Sequence, residues 1–214
     1  DTGGPSETTT AYLTDLREGV AMLQGTAVLE ITIASAVFNF AVGITLAVLP
    51  AFGKLLGGPA IYGLLLGALG MGRVVGSMSA SRITHVAYGR FKAVTYVLSA
   101  LLWVGAVVSP SVVLTVVLFG LAWVSAGIDA VMVETLIQKV FPADRLGRVS
   151  AINGTVSTGT LPIGSLIGGS IAAQFGTIST MTLAACGFGV SGLYFALRPR
   201  LRSIPAIADI DSER

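Results

Sequence analysis

The chain has 214 residues, of which 53% are hydrophobic and 11% charged, with 13 Lys and Arg against 11 Asp and Glu. A soluble domain carries about 25% charged residues to coat its surface, and the mean hydropathy here is +0.84. Those values exclude an ordinary water-soluble globule, a disordered chain and a nucleic-acid binder, and leave a protein whose solvent is mostly lipid.

The chain begins at Asp1 rather than methionine, and residues 1–10 are polar with no apolar core. They read as a disordered lead-in, not a signal peptide, and the chain is expected to be a processed product or part of a longer protein. Residues 11–24 set Tyr12, Leu16 and Val20 on one stripe, with Asp15, Arg17 and Glu18 off it. That is the pattern of a linker helix lying on a membrane surface.

Residues 25–199 hold six apolar stretches, near 27–50, 60–81, 91–109, 111–137, 149–174 and 177–197. Each suffices for a helix of about 20 residues across a hydrocarbon core of about 30 Å. Turn chemistry separates most of them: Pro50 with Gly53, Gly57-Gly58-Pro59, Ser109-Pro110-Ser111, Pro142 and Gly176. No segment alternates in polarity over about 10 residues as a membrane barrel strand does. The fold class is therefore an all-α membrane protein with six transmembrane helices, followed by a cytoplasmic tail over 200–214.

Lys and Arg assign the orientation. With the N-terminus cytoplasmic, Arg17, Arg82, Arg90, Lys92, Lys139, Arg145, Arg148, Arg198, Arg200 and Arg202 fall inside, and only Lys54 falls in an outer loop. Both termini are thus expected in the cytoplasm of a multi-pass cell-membrane protein. The outer loops are too short to form an extracellular domain.

Ionisable groups at membrane depth are costly and each needs a reason. There are four: Glu30, Arg73, Asp129 and Glu134. Arg73 precedes Arg82 by nine residues and Asp129 precedes Lys139 by ten, so both sit on the order of 13–15 Å above the inner edge. Equal depth and opposite charge predict a pair between the second and fourth spans. Such a pair either locks two helices, or leaves Asp129 to take up a proton and Arg73 to hold an anionic group. Glu30 and Glu134 lie nearer the inner edge as lesser proton-coupling candidates. Asp129 and Glu134, about 140° apart on a helix, are not expected to face one cavity centre.

Polar stripes accompany the charges. Thr32, Ser35, Asn39 and Gly43 share a face of the first span, and Asn153, Ser157, Thr160 and Gly164 one of the fifth. Spans one, two, four and five are expected to line a wet cavity, and spans three and six to face lipid. The alternative for the Ser and Thr residues is interhelical hydrogen bonding. Gly63, Gly67, Gly72 and Gly76, and Gly164 with Gly168, have the spacing that lets helix backbones approach. Pro162 predicts a kink in the fifth span, a gate or hinge with Gly164. Phe38, Phe40, Trp103 and Trp123 are packing or lipid-facing positions, with Phe38 or Phe40 able to touch an apolar substrate.

The single Cys186 excludes an intrachain disulfide and the single His85 excludes a histidine metal site. No Gly-Lys-Ser/Thr follows a glycine run, and no nucleophile has a paired base. No cofactor, metal or enzymatic activity is expected.

The chain resembles the C-terminal half of a major facilitator superfamily transporter of the drug and macrolide efflux branch. The resemblance rests on Asp15-Leu16-Arg17-Glu18-Gly19, Pro50, Tyr62-Gly63-Leu64, the loop from Gln138 to Val149, and the Pro- and Gly-rich stretch from Gly154 to Gly176. It covers roughly residues 11–200. Arg82, Gly89 and Arg90 match the inner loop after the second span, and Pro142, Asp144, Arg145, Gly147 and Arg148 the next one. Thr84 and His85 stand where the family carries an acidic residue, and Arg73 is unusual in that span.

The resemblance implies six helices as two inverted three-helix repeats, half of a twelve-helix fold. It further implies alternating access and proton-coupled export of a small amphipathic compound. The partners would be the bilayer, a substrate, and a second six-helix half on another segment, a separate chain or a second copy. The competing reading is a non-transporting scaffold subunit of a larger membrane complex built on the same half-fold.

The topology is tested by labelling Lys54→Cys and Arg90→Cys in a Cys186→Ser background. A membrane-impermeant thiol reagent added outside intact cells should modify position 54 and spare position 90.

Overall fold

Lipid offers no partners for backbone N–H and C=O groups, so apolar runs of this length satisfy them within helices. The computed structural model describes residues 25–210, and the expected lead-in and surface helix lie outside the described residues. Among the described residues six spans are long and apolar enough to cross a membrane: Ala27–Leu56, Pro59–Arg82, Tyr88–Val108, Val112–Val140, Ala143–Phe175 and Thr177–Leu197. The fourth consists of helices Val112–Ala122 and Val124–Val140 joined at Trp123, and the fifth of Ala143–Thr158 and Thr160–Phe175 joined at Gly159.

Several boundaries differ from those expected, each for a local reason. Pro50 does not close the first span but lies inside its helix, where it removes a single hydrogen bond. The stop is Gly57-Gly58, with φ of 145° and 109°, and Pro59 opens the next helix at a position that needs no N–H. The third span begins at Tyr88, three residues before the expected start, which moves Lys92 from the edge of the span into its second turn. The fifth begins after Pro142 as N-cap. Asp144, Arg145, Gly147 and Arg148 therefore form its first turns rather than a loop, with Asp144 where a helix N-terminus favours negative charge.

The break in the fifth span falls at Gly159, not at Pro162. Pro162 cannot donate to the Thr158 carbonyl, so the interruption sits one turn before it. Gly164 packs against the Phe40 carbonyl of the first span, where a Cβ would overlap the oxygen.

The first span packs on the second, fifth and sixth, the fourth on the second, third and fifth, and the third on the sixth. Exchanging the first three spans for the last three maps each of these contacts onto another, whereas the contact of the fifth span with the sixth has no counterpart of similar extent between the second and third. Successive spans alternate in direction, so the two three-span units are inverted with respect to each other. The closest approaches follow the same exchange. Gly43 and Gly164 meet the Leu161 and Phe40 carbonyls between spans one and five, and Gly76 and Gly127 meet the Val124 and Arg73 carbonyls between spans two and four. A Cβ at any of them would overlap a backbone oxygen. Gly63 and Gly67, expected in the same stripe, have no neighbour within 4 Å.

Two apolar clusters fill the interior. One, around Trp103, Phe119, Trp123 and Phe188, occupies the end away from the basic residues. The other, around Tyr88, Ile137, Phe195 and Leu201, fills the basic end. The tail is folded onto that end. A short helix, Pro199–Arg202, leads to a bridge between Ala206 and Ala87, and Lys139 Nζ donates to the carbonyls of Ile207 at 2.7 Å and Ile210 at 2.9 Å.

Gly164→Leu and Gly127→Leu should each cost at least about 2 kcal/mol, at the upper end of overpacking effects. Gly67→Leu, facing open space, should stay within about 0.5 kcal/mol. Thermal unfolding in detergent measures the difference.

Candidate functional site

Tyr88, Lys92 and Tyr96 stand four residues apart and so share one face of the third span. That face turns toward the fourth span. Lys92, 1% exposed, donates to Asp129 Oδ2 at 2.8 Å. Tyr96 Oη donates to the same oxygen at 2.7 Å, and Tyr88 Oη donates to Oδ1 at 2.7 Å. Both carboxylate oxygens are therefore occupied. Lys92 also donates to Tyr88 Oη at 3.4 Å and lies 4.8 Å from the Phe195 ring centre and 5.1 Å from that of Tyr96. A buried ion pair holds only when its remaining valences are met in this way.

The expected pair of Arg73 with Asp129 is not formed. Arg73 is level with the carboxylate, since its carbonyl meets Gly127, but Lys92 reaches Asp129 from the packed interior and fills the site. Arg73 is exposed and makes no ion pair among the described residues. It lines instead the polar cavity at whose floor Asp129 sits.

That cavity has a volume of about 190 Å³ and draws on five spans. Ser35, Phe38 and Asn39 come from the first, Arg73 from the second, Tyr96 from the third, Asp129 and Glu134 from the fourth, and Asn153 and Ser157 from the fifth. The stripe residues thus divide by role. Ser35, Asn39, Asn153 and Ser157 line the cavity. Thr32 bonds Asn153 Oδ1 at 2.8 Å and Thr160 bonds the Ala36 carbonyl at 2.7 Å, so these two stitch spans one and five together.

Two carboxylates differ from expectation. Glu134 shares the cavity with Asp129 despite the helical angle between them, because it is exposed where Asp129 is buried: one is rim and the other floor. Glu134 Oε1 accepts from Ser150 at 3.1 Å. Glu30 is off the cavity, with Oε1 3.9 Å from Arg200 Nη1. The third and sixth spans do expose apolar residues such as Leu98, Leu101, Val190 and Leu193. Their opposite faces carry Tyr88, Lys92, Tyr96 and Phe195, so they are not simply lipid-facing. Arg82 is exposed at the end of the second span, and Gly89 lies in the first turn of the third, against the Leu201 carbonyl.

Lys92 was hidden in the sequence by its neighbour Arg90, beside which it reads as a second charge of the inner edge. The signal that could have found it is the Tyr88-Lys92-Tyr96 spacing, which places an ammonium between two phenols on one helix face.

Chemically, the cluster can hold an ion pair or, once a proton reaches Asp129, a neutral carboxyl beside an ammonium. Lys92→Met or Asp129→Asn alone should lower stability by about 3–5 kcal/mol, since either strands the other group in the interior. Lys92→Met with Asp129→Leu should recover most of that loss. Unfolding in detergent reads all three proteins.

The chain matches, over residues 7–214, a major facilitator family described as transmembrane secretion effector. Neither a curated protein nor a solved structure matches it.

Proposed function

Because the chain belongs to the transmembrane secretion effector family of major facilitator proteins, a family of membrane transporters, we propose that it forms the C-terminal six-helix half of a proton-coupled exporter of small amphipathic compounds, of the drug and macrolide efflux type. The observation that carries this reading is the polar cavity with the buried Asp129 at its floor. A scaffold subunit has no need of a polar recess reaching a charged pair at membrane depth.

The cavity is smaller than the roughly 300–1,000 Å³ of a drug-sized pocket, so it is one wall of a larger site. Only 17% of the apolar windows of the second and fifth spans is buried, against 44–56% for the other four. Those two open faces support a second six-helix half, supplied by another segment, another chain or a second copy about an axis along the membrane normal. In this reading the basic end faces the cytoplasm of a cell membrane.

Asp129 is the coupling carboxylate, working as a unit with Lys92. A proton arriving at Asp129 breaks the pair and leaves Lys92 as an uncompensated cation in a buried place. Protonation then favours whichever state of the transporter hydrates or re-pairs that ammonium, and this links proton entry to the switch between inward and outward access. Glu134, at the rim, is suited to relay protons.

The test is substrate export by the complete assembly in vesicles under an imposed pH gradient. The Lys92→Met, Asp129→Asn double variant should lose gradient-driven export by at least tenfold and keep substrate exchange, which needs no net proton. Glu134→Gln should be milder and Glu30→Gln near wild type. Full gradient-driven export by the double variant would end the assignment.

A further inference from the structure

We infer that the compound recognised at this cavity carries an anionic group, held by Arg73, on an aromatic or otherwise apolar body. The inference rests on the proposed transport site and adds the charge of its substrate. Four observations lead to it. Asp129 is already paired with Lys92 and bonded by Tyr88 and Tyr96, and it makes no ion pair with the Arg73 guanidinium. Lys92 and Asp129 cancel in charge, so the floor of the cavity is neutral. The one carboxylate left in the cavity, Glu134, is at the rim, where its Oε1 takes a hydrogen bond from Ser150. Arg73 is therefore a cation with open donors at membrane depth, and it lines the polar recess rather than forming an ion pair among the described residues.

An arginine is costly in lipid and is placed there facing water or a counter-charge. Its planar fork suits bidentate contact with a carboxylate, sulfonate or phosphate. Phe38 and Tyr96 line the same recess with rings 5.5 Å apart, an apolar surface for the body of the molecule. Asn39, Asn153 and Ser157 supply neutral hydrogen-bonding groups around it, so no opposing fixed charge from the first or fifth span faces the bound anion.

The experiment uses two probes that share their rings and differ by one charge, 8-anilinonaphthalene-1-sulfonate and the uncharged N-phenyl-1-naphthylamine. Binding to the complete assembly is measured by fluorescence titration, together with export from vesicles, for wild type, Arg73→Lys and Arg73→Gln. A charge-assisted contact is worth about ten- to a hundredfold in affinity. Arg73→Gln should therefore weaken sulfonate binding at least tenfold and leave the naphthylamine within about twofold, with Arg73→Lys between. Sulfonate binding that is no tighter than naphthylamine binding in the wild type, or unchanged in Arg73→Gln, overturns the inference. If the naphthylamine is exported under a pH gradient equally well with and without Arg73, the inference falls and the transporter reading stands. If neither probe binds, the inference falls. Loss of assembly in Arg73→Gln, with Arg73→Lys and wild type showing no sulfonate preference, would assign Arg73 to contact with the second half.

Discussion

The structure turns on one buried ion pair. Lys92 and Asp129 meet at 2.8 Å and are the only charged residues buried in the interior among the described residues, and the two tyrosines bonded to Asp129 belong to different apolar clusters, Tyr88 to the basic end and Tyr96 to the other. The pair therefore sits at the seam of the hydrophobic interior and fixes the register of the third span against the fourth. It is not a source of net stability, since well-packed apolar side chains would serve as well or better. Its cost is contained because each oxygen and the ammonium have partners, and the Phe195 ring closes the remaining side. A group kept at that cost beside a polar recess is best understood through what the recess does.

A second constraint is the absence of side chains where helices cross. Without a hydrophobic drive between helices in lipid, association depends on close backbone contact and interhelical hydrogen bonds. The glycine contacts between spans one and five, and between two and four, provide the first. Thr32 to Asn153, Thr160 to Ala36 and Ser99 to Ser125 provide the second. These contacts draw span one to five, two to four and three to four around the recess, while the aromatic cluster closes the opposite end. The cavity is what remains between tightly crossed helices, and its walls are the faces that carry Ser35, Asn39, Asn153 and Ser157.

The tail shows the same economy at the basic end. Lys139, one of the charges used to assign orientation, binds two tail carbonyls, and the bridge at Ala87 pins the tail one residue before the third span begins. A basic side chain at that end thus also holds the part of the bundle on which Tyr88 and Lys92 depend.

By itself the sequence determined the class, the number of spans, the polar stripes of spans one and five, and the equal depth of Arg73 and Asp129. Those properties follow from composition, segment length and the 1.5 Å rise per residue, which are local or additive along the chain. Only the tertiary structure decided which charges meet. Depth is one coordinate, and an ion pair needs three: two spans could offer a cation at the level of Asp129, and the packing of the third span against the fourth and sixth selected Lys92 over Arg73. The same limit explains Glu30, which lies in the right stretch of chain on the wrong side of the helix, and Thr32 and Thr160, whose neighbours rather than their spacing made them ties instead of cavity lining. Where a helix stops was likewise settled by context, since Pro50 and Pro162 are breakers only if nothing around them compensates for one lost hydrogen bond.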